Sequence, residues 1–305
     1  MRPVAAVTRV LPLLAAAALS AGSSTYSTRR AALTPEVAPP MRSGAPLETK
    51  GEIAVNLPTA LAGGDPTVNA GEEPGIVLPG FQVGGAARLR LREHLDVGLV
   101  YEQATSEGSH NIAADQPTVD GGSAFGFGLS FMATKQVGDD LNIAFMGEVL
   151  DYSIPYVEYR TCVDSCPGST IQEINRGRTQ IPVLAFAVVP NWRVAPNLSL
   201  FGGVAGRNQP TVDRGGIEIG EDTDNDVTAG QINLMLEAGA EVTLGTGLKA
   251  MAMIYKDVSG GPLDYPVTVA FGLSYGFGKV ERPAVLQPQP QPQPPPVAAP
   301  QSTVR

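Results

Sequence analysis

Histidine and cysteine are scarce in this 305-residue chain, with two of each. The cysteines, Cys162 and Cys166, sit in Cys162-Val163-Asp164-Ser165-Cys166-Pro167-Gly168 with no further Cys or His nearby, which excludes a Cys/His metal centre. In an exported chain the pair is expected to close a small disulfide that staples a loop tip. Positive charge is also in deficit: 21 Lys and Arg face 30 Asp and Glu, a net charge of −9. A nucleic-acid partner wants a basic footprint, so that class is set aside. Long apolar runs are missing as well. Val10 to Leu19 is far shorter than the ~20 residues of a spanning helix, and no later segment reaches that length without charge.

The ends of the chain are compositionally distinct from its middle. Residues 1–22 read as a signal peptide, with Arg2 and Arg9 before the apolar run and small residues suited to cleavage after Ser20 or Gly22. Leu19-Ser20-Ala21-Gly22-Ser23 is similar to a bacterial lipoprotein box, with Ser where the lipidated Cys belongs. Lipidation there needs a thiol, so an anchor of that kind is not expected. Residues 23–46, rich in Ser, Thr, Ala and Pro, are expected to be a flexible lead-in. Residues 280–305 form a Pro/Gln-rich tail expected to be disordered, whose Gln287 to Pro296 repeat imposes extended polyproline II segments.

Between these ends, from about Leu47 to Phe277, apolar residues recur at every second position. Phe81 to Leu91 is the clearest case, with Val83, Leu89 and Leu91 on one face and Gln82, Arg88 and Arg90 on the other. Roughly ten such segments are separated by breaks that alternate between short and long. The pattern predicts strands at Glu48–Leu57, Gly80–Leu91, Leu95–Ala104, Ser123–Thr134, Leu141–Arg160, Arg178–Trp192, Asn197–Asn208, Thr228–Leu244, Leu248–Val258 and Asp264–Gly278. An even strand count with short turns at one end describes an all-β, antiparallel transmembrane barrel occupying residues 47–279. The competing arrangement is a soluble exported β-sandwich or lipocalin-like barrel packed on its own core.

Register arithmetic supports a polar interior. Setting Leu91 opposite Leu95 pairs Arg90 with Asp96, and setting Val242 opposite Leu248 pairs Glu241 with Lys249. Arg88, Arg90, Asp96, Glu102, Glu237, Glu241 and Lys249 are thus expected to line the lumen, filling a barrel this narrow with side chains. Trp192, Tyr275 and Phe277 fall near the ends with short turns, where an aromatic girdle would sit. The last segment, Gly272-Leu273-Ser274-Tyr275-Gly276-Phe277, resembles the closing-strand signal of bacterial outer-membrane barrels through Gly272, Tyr275 and Phe277. The chain as a whole resembles, in pattern only, small barrels of the OmpA-barrel, OmpX and OmpW type. That resemblance implies an outer-membrane location, contact with membrane lipid and lipopolysaccharide, and recognition by the barrel-assembly machinery. With short turns in the periplasm, both termini are expected there too.

Sites for chemistry are few. His94 lies in a short turn. His110, in Ser106-Glu107-Gly108-Ser109-His110-Asn111 with Asp115 nearby, could serve a hydrolase as base toward Ser109 or a water. Adjacent residues on a loop rarely point at each other, so no catalytic residue is assigned and an enzyme is not expected. Asp222, Asp224 and Asp226 alternate as in oxygen-rich Ca²⁺ loops, but Val227 stands where an EF-hand needs Gly. Weakly bound calcium is the one cofactor that could apply, and no firm metal site is assigned. The overall expectation is a non-enzymatic barrel with a structural, adhesive or scaffolding role. Its tail would dock a periplasmic protein or peptidoglycan, in a setting such as an envelope-spanning motility or secretion assembly. A small passive pore and a barrel hydrolase are the alternatives.

Overall fold

A computed structural model describes residues 25–59, 67–68, 75–107, 109–111, 119, 122–164, 171–211, 228–259, 263–264 and 266–279. In chain order its strands are β1 (Thr25–Leu33), β2 (Thr49–Thr59), β3 (Thr67–Val68), β4 (Ile76–Leu78), β5 (Phe81–Arg92), β6 (Leu95–Thr105), β7 (His110–Asn111) and β8 (Ser123–Gln136). They continue with β9 (Leu141–Asp164), β10 (Gln172–Ala195), β11 (Leu198–Thr211), β12 (Thr228–Thr243), β13 (Leu248–Asp257), β14 (Leu263–Asp264) and β15 (Thr268–Lys279). Ten of them close a ring in the order β10-β11-β12-β13-β15-β2-β5-β6-β8-β9, with β9 pairing back onto β10. Every ring contact is antiparallel, and the β9–β10 ladder runs from Trp192↔Leu141 to Gln172↔Arg160. The fold is a closed ten-stranded antiparallel barrel.

The period of two sets what faces where. Along β8, Phe125, Phe127, Leu129 and Phe131 point outward and are exposed, while Ala124, Ser130, Met132 and Thr134 point inward and are buried. The same split puts Leu184, Phe186 and Val188 outside on β10, and Ile232, Leu234 and Leu236 outside on β12. A belt of exposed Phe, Leu, Ile and Val therefore surrounds a barrel whose buried face carries Glu52, Asn56, Arg88, Asp96, Glu148, Arg207 and Glu237. This inverts a soluble protein and fits one solvated by lipid. The β8–β9 ladder, Phe125↔Ser153 to Gln136↔Asn142, rises about 28 Å along the axis at ~3.3 Å per residue and a tilt of about 40°. That nearly matches a hydrocarbon core of about 30 Å. Trp192, Tyr275 and Phe277 are exposed near the short-turn end.

The abundant glycine has a steric reason. Aromatic rings lie over glycines on the neighbouring strand: Phe131 over Gly147, Phe186 over Gly206 and Phe277 over Gly51. A Cβ at Gly147 would stand 2.2 Å from Phe131, so the ring takes that place and covers the bare backbone.

Two register expectations change in detail. Arg90 does face Asp96, but the irregularity between Arg90 and Arg92 puts Arg92, not Leu91, opposite Leu95. Val242 faces Ala250 rather than Leu248, and Thr243 faces Lys249. The cause is the three-residue turn Gly245-Thr246-Gly247. Gly247 adopts φ 83° there, and the Leu244 N–H donates to the Leu248 carbonyl. A shift of two leaves Glu241 and Lys249 on the inner face as diagonal neighbours. β9 and β10 also run past their expected ends, and their upper residues form a ribbon beyond the ladder with β8, which stops at Phe125↔Ser153.

The largest departure lies at the start of the chain. Of residues 23–46, expected to be a flexible lead-in, those from 25 on take a defined path. β1 pairs antiparallel with the ribbon end of β9, Thr25↔Asp164 to Ala32↔Tyr156, and touches β4 at Ala32 and Leu33. The chain then descends inside the barrel, with Thr34, Val37, Ala38, Arg42, Ser43 and Leu47 all buried, and emerges at Glu48 to begin β2. Thr25 and Lys279 consequently lie at opposite ends of the barrel, while both termini fall outside the described residues.

A lipid-facing belt has a measurable signature. Leu129→Arg, at a position paired with Leu99 and Val149 in mid-ladder, is expected to cost about 2–4 kcal/mol in denaturant unfolding from bilayers. The same exposed substitution in a water-soluble sandwich would change stability by no more than about 0.5 kcal/mol.

Candidate functional site

Ten strands spaced about 4.8 Å apart and tilted about 40° close at a radius of about 10 Å, against about 8 Å for the eight-stranded OmpA and OmpX type. Side chains fill the smaller ring. The larger one leaves axial space, and here residues 34–47 occupy it as a thread. The lumen expected to be plugged by side chains alone is thus plugged by side chains and a length of backbone.

An irregular backbone at membrane depth must find hydrogen-bond partners within the protein. The thread, Thr34-Pro35-Glu36-Val37-Ala38-Pro39-Pro40-Met41-Arg42-Ser43-Gly44-Ala45-Pro46-Leu47, contains four prolines, each of which removes an N–H donor. Five of its carbonyls accept from side chains of the wall. Arg207 donates to the Ala38 carbonyl at 3.2 Å, Arg88 to Met41 at 3.5 Å, Asn191 to Ser43 at 2.9 Å and Arg90 to Leu47 at 2.6 Å. Near the upper end Gln82 bonds the thread in both directions, accepting from the Glu36 N–H at 2.8 Å and donating to the Glu36 carbonyl at 3.4 Å. Gly44 lies close against the wall at φ 77°, where a Cβ would lie 3.0 Å from the Val189 carbonyl and 3.2 Å from Ala144.

Charges tie thread to wall and wall to itself. Arg42 of the thread forms a buried ion pair with Asp96, both side chains under 5 % exposed. Arg88 pairs with Glu52, directly opposite in register, at 2.9 Å. Higher up, Arg207 grips Glu102 through two parallel bonds of 2.9 and 2.7 Å, and Tyr152 donates to the same carboxylate while accepting from Arg207. Lower down, Glu241 takes Lys249 at 3.2 Å and the Ser43 hydroxyl of the thread at 2.7 Å. Glu237, opposite Gly203 and Tyr255 in register, is buried, and neither of its carboxylate oxygens has a hydrogen-bond partner among the described residues.

The residues expected to be lumen charges all face inward: Arg88, Arg90, Asp96, Glu102, Glu237, Glu241 and Lys249. Arg42, Glu52, Glu148 and Arg207 are buried in the same interior and are not among the expected lumen charges. Glu52, Glu148 and Arg207 sit on inward positions of their strands and could have been found by extending the parity count. Arg42 could not, because the thread has no period. Two cavities flank the thread, about 20 Å³ lined by Arg42, Glu52, Arg88, Glu241 and Lys249 among others, and about 30 Å³ bordered by Gln82, Glu102 and Glu148. Each has room for a water or two.

Gly272, Tyr275 and Phe277 lie on β15, with Gly272 buried against Asn56 and Met251 and the two rings outward. His94 is exposed in the short turn after β5. His110 and Cys162 are described by their backbones only, as ends of β7 and β9, whereas Asp115, Cys166, Asp222, Asp224 and Asp226 fall outside the described residues. Among the described residues no group of three or more His, Cys, Asp or Glu could hold a metal ion.

An outward apolar belt, a charged and buried interior, and antiparallel closure by an even number of strands together define the outer-membrane class of β-barrel. No protein-family model and no curated protein matches the chain. Among solved structures it is similar to the COG4313 outer membrane channel from Pseudomonas putida F1, at 10 % identity over 79 % of this chain and 100 % of that one, with a TM-score of 0.38. It is also similar to the outer membrane protease OmpT from Escherichia coli, at 12 % identity over 85 % and 99 % with a TM-score of 0.34. The translocator domain of autotransporter NalP from Neisseria meningitidis is a third, at 10 % identity over 88 % and 94 % with a TM-score of 0.30.

Removing one partner of a buried pair strands the other charge. Arg42→Ala is expected to cost about 3–5 kcal/mol of unfolding free energy, and Arg42→Ala with Asp96→Ala appreciably less. A double-mutant cycle by denaturant unfolding in bilayers measures the difference. Gly44→Val is expected to weaken the folded band in unboiled SDS electrophoresis, since it places a β-branched residue at positive φ against Val189.

Proposed function

We propose that the protein is a non-enzymatic structural barrel of the outer membrane, its lumen closed by its own N-terminal thread. In this reading residues 280–305 dock a periplasmic protein or peptidoglycan, and the short turns face the periplasm. What supports it is the occupied lumen. Ion pairs and hydrogen bonds hold the thread along its length, from Glu36 to Leu47. Inner charges used in this way stabilise a plug instead of lining a path. A scaffolding or adhesive part in an envelope-spanning assembly suits such a barrel, with lipid and lipopolysaccharide as its surroundings. A Cys162–Cys166 disulfide would then staple the tip of the β9–β10 ribbon. A passive pore is the second reading, and it requires the thread to leave the lumen.

Planar-bilayer recording tests the two against each other. The full-length protein is expected to show no steady conductance, and Arg42→Ala/Arg88→Ala, which frees the thread at two points, is expected to open channels intermittently. Steady conductance from the unaltered protein would favour the pore. Deleting residues 280–305 is expected to leave a heat-modifiable barrel in the membrane but to abolish recovery of its envelope partner in crosslinked pull-downs. Unchanged recovery would remove the docking role.

A further inference from the structure

The path of the thread, with the orientation just proposed, carries a consequence for the chain as a whole. Thread residues meet β5 in strict descending order: Glu36 at Gln82, Met41 at Arg88, Leu47 at Arg90. Its other partners keep that order, Ala38 at Arg207 and Glu102 above, Arg42 at Asp96 and Ser43 at Asn191 and Glu241 below. The segment therefore crosses the barrel once, without doubling back. Its 14 residues can extend to about 46–50 Å, more than the hydrocarbon thickness of about 30 Å. Above it, β1 lies on β9 at the end where the long connections fall. Below it, β2 starts beside Lys279 at the end with the short turns, residues 93–94, 137–140, 196–197 and 244–247.

We propose that the polypeptide passes through its own barrel from the cell exterior to the periplasm. β1 is then displayed on the outer surface, and a single covalent chain tethers that surface to the inner side of the membrane. This rests on the proposed reading only for which end of the barrel faces out. The tether adds a function to the barrel. A load applied to β1 outside would pass into the thread. There Arg42–Asp96, Ser43–Glu241 and Asn191–Ser43 anchor it to the wall. Short internal turns and a surface-held N-terminal strand thus give the chain one foot on each side.

Cysteine accessibility in intact cells tests this. In a Cys162→Ser/Cys166→Ser background, Thr28→Cys reports β1, Glu107→Cys the end with long connections and Asp139→Cys a short turn. Glu107 and Asp139 are exposed and Thr28 partly so. With a membrane-impermeant maleimide, Thr28→Cys and Glu107→Cys are expected to label fully in intact cells. Asp139→Cys is expected to label severalfold more once the outer membrane is permeabilised. An epitope placed ahead of Thr25 in the cysteine-containing protein gives a second readout, antibody binding to intact cells, should the cysteine-free background fail to fold. Labelling of Glu107→Cys with Thr28→Cys protected and the epitope hidden would overturn the tether and leave the orientation standing. Labelling of Asp139→Cys with Glu107→Cys protected would instead overturn the orientation on which the proposed function stands.

Discussion

Unpaired backbone in a lipid-embedded structure is the constraint on which the rest of this molecule depends. A barrel satisfies its strands by closing them on each other, and ten strands do so with space left over. Whatever fills that space must bring partners for its own amides. Residues 34–47 meet the demand from both sides: four prolines delete donors, and Arg88, Arg90, Asn191 and Arg207 supply donors to the carbonyls of Met41, Leu47, Ser43 and Ala38. The charged wall and the proline-rich thread are therefore one solution to one problem, not two features.

The ion pairs in the lumen act on geometry more than on stability. Burying Arg42 with Asp96 or Arg88 with Glu52 loses hydration that their attraction only partly restores. What the Arg42–Asp96 pair does set is the register of the thread, because Arg42 is the one basic residue of Thr34–Leu47 and Asp96 the carboxylate it meets. Glu241 shows the point, serving Lys249 on the next strand and Ser43 on the thread at once. A thread displaced by one residue would leave Arg42 without Asp96 and Ser43 without Glu241. A buried charge stranded in that way costs more than one new neutral hydrogen bond elsewhere could return.

Much of the barrel was legible from alternation alone. Ten strands, their parity and the ends with short turns followed from the period of two, since one face meets lipid and the other meets charge. Parity also survives small errors. Glu241 and Lys249 stay inward, and paired, although their strands sit two residues away from the expected register. Above the membrane that signal fades. Gln172 to Gln180 is polar on both faces, so the six residues of β10 before Arg178 left no alternation to read.

The thread was invisible for a deeper reason. Thr34 to Leu47 has the Pro and Ala content of a linker, and in a linker those prolines merely stiffen the chain. Local sequence does determine that such a segment cannot join a sheet or form a helix. Whether it hangs in solvent or runs through a lumen depends on the width of a ring made by strands up to about 230 residues further on, and on Arg207 and Asn191 being carried to its side. Composition and period thus settled the barrel and its two faces, because those depend on neighbours along a strand. The plug, and with it the separation of Thr25 from Lys279, was decided only when the ring closed, because it depends on a volume that no single strand encloses.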